Sequence, residues 1–127
     1  MQEVDIYLYI SSKAPTCAGA KYKYVLTCGG HSLEDTGETG QITGHRLAMT
    51  CAIEALKRMT RAAVITIHTN CRYLMTGHAY LASWERNGWK KAGGEPLKNV
   101  DLWQQLYELS KGHAIRYQYK SNMDHIS

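Results

Sequence analysis

The chain contains no phenylalanine and two prolines, Pro15 and Pro96. Its apolar runs are short: Ala62-Ala63-Val64-Ile65 is typical, far below the roughly 18 residues needed to cross a bilayer. The first thirty residues lack a basic start followed by an apolar core. A secretory signal is therefore not expected, and the chain reads as a soluble, cytoplasmic protein with no membrane partner. Cys17, Cys28, Cys51 and Cys71 form no CxxC pair and no nearby CxxH spacing, which argues against zinc. They are expected to be reduced, with Cys51 a small core residue and Cys71 a buried structural thiol. No Pro/Ser-rich linker and no internal repeat divides the chain, so residues 1–127 are expected to form one domain.

Hydrophobic residues make up 44% and charged residues 20% of the 127 positions, a globular balance that excludes disorder. The net charge of +4 matters only through its distribution. Lys13 to Lys23 holds three lysines and no acid. Thr43 to Arg61 sets Arg46, Lys57, Arg58 and Arg61 against Glu54 alone. Acids gather instead at Glu34, Asp35 and Glu38.

Periodicity lays out the elements. Val4 to Ile10 alternates with period two and predicts a strand, as does Ala20 to Leu26. A turn at Cys28-Gly29-Gly30 leads to a polar strand over 31–38, with Gly37 and Gly40 as breaks. Thr43 opens a helix whose stripe is Leu47, Cys51, Ile53, Ala55, Leu56 and Met59, with basic residues near its end. Residues 62–67 form an apolar, buried parallel strand. Tyr73 to Trp84 reads as one kinked helix or two short ones, interrupted at Gly77. Residues 88–98 are a loop, Asn99 an N-cap for a helix to Ser110 with Asp101 in its first turn, and Ala114 to Tyr119 a fifth strand. The order βββαβ–α(α)–α–β predicts a mixed α/β fold: three antiparallel strands, then parallel ones, in a five-stranded sheet with helices on both faces.

Two stretches carry a resemblance. Trp84-Glu85-Arg86-Asn87-Gly88-Trp89-Lys90-Lys91, followed by Pro96-Leu97-Lys98-Asn99-Val100-Asp101-Leu102-Trp103, closely resembles the hybrid-binding handle of ribonuclease H type 1. Thr43-Gly44-His45-Arg46-Leu47, leading into Ala52-Ile53-Glu54-Ala55-Leu56, resembles that family's Thr-x-Asn-Arg helix. Ile65-Thr66-Ile67-His68-Thr69-Asn70, with Tyr73 after it, resembles its central strand ending in Thr-Asp-Ser. The likeness runs from about Val4 to Tyr119 and implies the ribonuclease H-like fold.

It also implies enzymes that cut the RNA strand of an RNA–DNA hybrid with two divalent ions, Mg²⁺ or Mn²⁺, held by four carboxylates. At the matching positions this sequence has Tyr9, Ala48 and Asn70. The segment for the fourth carboxylate, and the family's last helix, have no counterpart; Asp124 and His125 are the sole candidates there. Asp5 shares a strand face with Tyr9 but lies about 13 Å away, and Glu54 lies on a largely different side of its helix from Ala48. The expectation is a catalytically inactive member that lacks the metal-binding carboxylates and needs no cofactor.

The resemblance places contacts to nucleic acid, an RNA–DNA hybrid or structured RNA or DNA, at Thr43, Gly44, His45 and Arg46, at Arg72, and at the handle residues Trp84, Arg86, Trp89, Lys90, Lys91 and Lys98. The blander alternatives are that the tryptophans pack the handle and the lysines are solvated. His68, Asn70 and His125 would be the set for a transition metal. Nine tyrosines, among them Tyr7, Tyr9, Tyr22, Tyr24, Tyr117 and Tyr119, give the sheet an aromatic character. It suits base stacking or a protein interface, so a homodimer or protein-interaction module is a second functional class. A hybrid ribonuclease with relocated metal ligands is a third.

Overall fold

The computed structural model describes residues 1–14, 18–121 and 123. Five strands, β1 (Gln2–Ile10), β2 (Lys21–Cys28), β3 (His31–Glu38), β4 (Ala63–Thr69) and β5 (Ala114–Tyr119), form one sheet in the order β3-β2-β1-β4-β5. β1 to β3 pair antiparallel, and β4 and β5 join parallel to β1. The mixed sheet is the one the alternation predicts. Four helices, α1 (Gly44–Leu56), α2 (Arg72–His78), α3 (Leu81–Arg86) and α4 (Val100–Ser110), complete the described chain. No helix among the described residues is long and apolar enough to cross a membrane.

Alternation decides which face each strand buries. Val4, Ile6, Leu8 and Ile10 of β1 and Ile65 and Ile67 of β4 point to one side and are almost wholly buried. Leu47, Met49, Ala52 and Leu56 of α1 close on them, and the helix packs across β1 and β2. Leu102, Trp103 and Leu106 of α4 form the next layer against α1. The four helices therefore share one face. The other face carries the half-buried Tyr7, Tyr9, Val25 and Val64, so helices expected on both sides are found on one among the described residues.

Other differences have local causes. β3 runs straight through Gly37, which pairs with Tyr22, because a ladder of hydrogen bonds overrides the weak strand preference of one glycine. The helical break falls at Ala79 and Tyr80 rather than at Gly77. Gly77 serves a close approach: a Cβ there would stand 2.2 Å from Cη2 of Trp103. β4 continues to Thr69, and the basic residues after α1 lie beyond its last turn. Lys57 binds Glu54, and Arg58 donates to the Tyr24 hydroxyl at 2.9 Å.

His78, at the end of α2, ties three elements together. Its Nδ1 lies 2.6 Å from the Tyr117 hydroxyl of β5, and its Nε2 lies 3.3 Å from Ser110 Oγ of α4. Burial disfavours the imidazolium and pushes its pKa down to about 4. In the unfolded chain the ring titrates near 6.5, so the unfolded state takes up a proton first as pH falls. The contribution is complete above pH 6.5 and is lost towards pH 4, about 3 kcal/mol in all. Urea midpoints measured between pH 7 and 4.5 should fall less steeply in His78→Asn than in the wild type. Parallel curves would contradict this assignment.

Candidate nucleic-acid interface

The N-terminus of α1 is fastened from three directions. Thr43 is the N-cap, and its Oγ1 accepts the Arg46 backbone N–H at 3.1 Å. The Gly44 N–H donates to the Ala14 carbonyl at 2.8 Å. A Cβ on Gly44 would stand 2.6 Å from the Lys13 carbonyl carbon, so only glycine lets the segment after β1 lie this close. Arg46 donates through both terminal nitrogens to Asp101, at 3.0 and 2.8 Å, and through Nη1 to Asn99 Oδ1 at 3.2 Å.

Asn99 departs from its expected role. It occupies the N-cap position of α4 in a left-handed conformation, φ 60°, and its side chain makes no capping bond. Instead Nδ2 donates to the Tyr73 hydroxyl at 2.9 Å. The Arg46 guanidinium holds the Asp101 carboxyl below the usual carboxylate range. Thr43, Gly44 and Arg46, all candidates for ligand contact, thus spend these polar groups inside the protein. His45 is the exposed member of the turn, stacked on Tyr73 with centroids 4.0 Å apart. Partial burial, with Lys98 nearby, holds its imidazole pKa below the ordinary value.

Beside His45 opens a cleft of about 260 Å³ whose lining includes Lys13, Asn70, Arg72 and Tyr119. Asn70 is 3% exposed, and its Nδ2 has no hydrogen-bond partner. The Arg72 guanidinium lies 4.0 Å over the Tyr119 ring. Lys13, Gly44 and His45 also line a second cleft that reaches Lys98 and Asn99. The two clefts share Lys13, Gly44 and His45 in their linings and lie side by side, with Arg72 lining one and Lys98 the other; together they are called the groove. Ala48, 1% exposed, lies in the core, and Tyr9 is half-buried on the opposite sheet face, with Lys23 Nζ 5.5 Å from its ring centroid.

The handle begins where α3 ends. Trp84 packs on the buried Trp103 at 5.4 Å and Trp89 edge-on to Tyr107 at 5.6 Å, so both half-buried tryptophans hold the handle to α4. Asn87 Nδ2 donates to the carbonyls of Lys90 and Lys91, at 3.0 and 2.8 Å, and Lys90 bridges to Pro96. That backbone clamp leaves the side chains of Lys90, Lys91, Lys98 and Arg86 exposed.

Ion pairing sharpens the charge pattern. Lys21, Lys23, Lys57, Arg58, Lys111 and Arg116 each have a carboxylate within 4.0 Å. Lys13, Arg72, Lys98, Lys90, Lys91 and Arg86 form no ion pair among the described residues, and neither do Arg61 and Lys120, which lie outside the groove and the handle. Sequence reasoning missed Lys13, whose proximity to α1 follows from the Gly44 contact and leaves no local signal.

His68 does not join Asn70 in a metal set. Its Nε2 lies 2.8 Å from Asp5 Oδ1 and its ring stacks on Tyr7 at 4.3 Å. His125, Asp124, Cys17 and the loop residues Pro15 and Thr16 lie outside the described residues. Among the described residues no three His, Cys, Asp or Glu side chains are grouped as a metal site needs. Cys51 is fully buried and Cys71 nearly so, and burial pushes both thiols up, away from reactivity.

Comparison with known proteins gives a consistent result. Residues 2–121 match the RNase H family. A ribonuclease H of Thiobacillus denitrificans is 38% identical over 112 residues, covering 87% of this chain and 76% of that protein. Among solved structures, a type 1 RNase H with the type 2 active-site motif superposes with a TM-score of 0.71 at 22% identity. That match covers 96% of this chain and 64% of the other. An RNase H1 solved in complex with an RNA/DNA hybrid superposes with a TM-score of 0.65 at 12% identity, covering 94% of this chain and 86% of that one. At such identities the structures speak to the fold.

The Arg46–Asp101 pair is part-exposed, at 34% and 58% for the two side chains, so solvent screens it to about 1 kcal/mol. A double-mutant cycle with Arg46→Ala and Asp101→Asn, followed by urea unfolding, should return a coupling of that size. Strictly additive effects would contradict the fork.

Proposed function

This chain belongs to the ribonuclease H family, and on that premise we propose that it binds an RNA–DNA hybrid without cleaving it. The carrying observation is the set of cations that form no ion pair among the described residues, Arg72, Lys13 and Lys98 along the groove and Lys90, Lys91 and Arg86 on the handle. Phosphates meet such cations with release of condensed counterions, which drives binding. His45, exposed and flat on Tyr73, adds a ring that can stack or hydrogen-bond at the same edge.

In a ribonuclease H of this type two divalent cations would stabilise the attacking and leaving oxygens. Hard cations need oxygen ligands, charged ones above all. The residues at the matching positions do not fit. Ala48 is a buried methyl group with no donor atom, Asn70 is a neutral amide, and Tyr9 is a phenol on the opposite sheet face. Lys13 and Arg72 line the same cleft as Asn70 and would oppose a dication there. The groups present therefore support holding a strand rather than hydrolysing it.

A second reading has its own observation. The sheet face that carries no helix among the described residues presents Tyr7, Tyr9, Val25 and Val64, all half-buried, and a second copy or another protein would bury them further.

A fluorescent hybrid titrated at about 50 mM salt, with Mn²⁺ present and absent, separates these readings. The expected result is a retarded complex with intact RNA on a denaturing gel. Lys90→Ala with Lys91→Ala should weaken it at least fivefold. Mn²⁺-dependent cleavage abolished by chelator would overturn the inactive reading and support relocated ligands. A dimer with no affinity for hybrid would shift the function to the sheet face.

A further inference from the structure

The two sides of the sheet differ in charge as well as in cover. Groove and handle, with their unmatched cations, are built around the helices. On the side that carries no helix among the described residues, strand alternation brings acids and bases together. Glu3 pairs with Arg116, Asp5 with His68, Glu34 with Lys23 and Glu38 with Lys21. Lys120, just past β5, sets its Nζ 5.7 Å from the Tyr7 ring centroid on the same side. This face is close to neutral, so it offers a polyanion little and does not repel its own copy.

Its charges are also sorted across the sheet. At one margin β3 brings Glu34 and Glu38 to this face and no cation. At the other, β5 and the residue after it bring Arg116 and Lys120 and no acid among the described residues. The strand order β3-β2-β1-β4-β5 puts β1 at the centre. A two-fold axis along β1 therefore lays the acidic margin of each copy over the basic margin of the other. The register agrees. Through the paired strands Glu34 stands level with Tyr7 and Gln118, and Gln118 is two residues from Arg116 on one side and from Lys120 on the other.

Size and composition suit the same partner. The five strands run from six to nine residues. At about 4.8 Å between strands and about 3.3 Å per residue they cover roughly 600 Å² in plan. Side-chain relief raises the accessible area towards the roughly 800 Å² that each partner gives to a standard interface. Tyr7, Tyr9, Val25 and Val64, all half-buried, fall within the charged margins, and tyrosine is enriched at interface centres.

We propose that this sheet face is the interface of a homodimer, with the two-fold axis along β1 and the cationic sides turned outward. Each dimer then presents two hybrid-binding surfaces on opposite sides. That consequence rests on the function proposed above; the dimer does not.

Sedimentation velocity on the full chain is the test. The wild type should be a dimer at about 10 µM, an affinity open to an interface of this size. Glu34→Lys with Glu38→Lys makes both margins basic, and Arg116→Glu with Lys120→Glu makes both acidic. All four side chains are exposed, so circular dichroism should match the wild type. Each double variant should raise the dissociation constant at least tenfold. An equimolar mixture of the two should recover the dimer, because every margin again meets its opposite. A wild type still monomeric at about 100 µM would overturn the proposal and leave the face to another protein. A dimer indifferent to both double variants, or a mixture that stays monomeric, would overturn it as well. Hybrid titrated into the same samples keeps the two claims apart. A dimer that binds no hybrid removes the function proposed above and leaves the interface standing, and a monomer that binds hybrid does the reverse.

Discussion

The fork that Arg46 makes with Asp101 and Asn99 sets the geometry of the whole cationic side. It joins the first turn of α1 to the first turn of α4, 55 positions apart in sequence. From Asn99 the connection passes to Tyr73, whose ring lies between His45 at 4.0 Å and Trp103 at 5.4 Å. Trp103 in turn carries Trp84, at the base of the handle. A part-exposed ion pair contributes modest stability, and its importance here is positional. With the fork in place, groove and handle form one surface of fixed orientation, and Gly77 provides the space in which Trp103 can lie.

Much of this was legible in the sequence, for physical reasons. Strand alternation and the apolar stripe of α1 follow directly from burial on one face, so the sheet could be laid out before its strands were paired. The handle was recognisable because tryptophans, glycine and lysines recur there at a distinctive spacing. What escaped were properties of contacts between distant segments. Asn99 looks like a cap because local preference favours it, yet Arg46 and Tyr73 compete for its side chain and win. Gly77 looks like a break because glycine disfavours helices, whereas it answers to a ring 26 positions away. Lys13 looked like one lysine among several until the close approach at Gly44 set it in the cleft wall.

The candidate site shows the same division. That Tyr9, Ala48 and Asn70 stand at the positions matching carboxylates could be read from the chain alone. That Thr43, Gly44 and Arg46 are engaged internally could not, because each bond partner comes from another part of the chain. The net charge of +4 says little until pairing is known. Carboxylates pair with cations on β2, on β5 and at the helix ends, and the cations without an ion pair among the described residues are those of the groove and the handle together with Arg61 and Lys120. The function we propose rests on sign: neutral or apolar groups where a dication would need oxygen anions, and cations where a phosphate would sit.

The central claim, that a hybrid is held on these unpaired cations, is tested most directly by how its binding constant varies with salt. Each phosphate neutralised contributes a slope of about −0.9 in log K against log salt. Six cations, not all in simultaneous contact, predict a slope between about −3 and −5. A binding constant that is indifferent to salt would contradict the account.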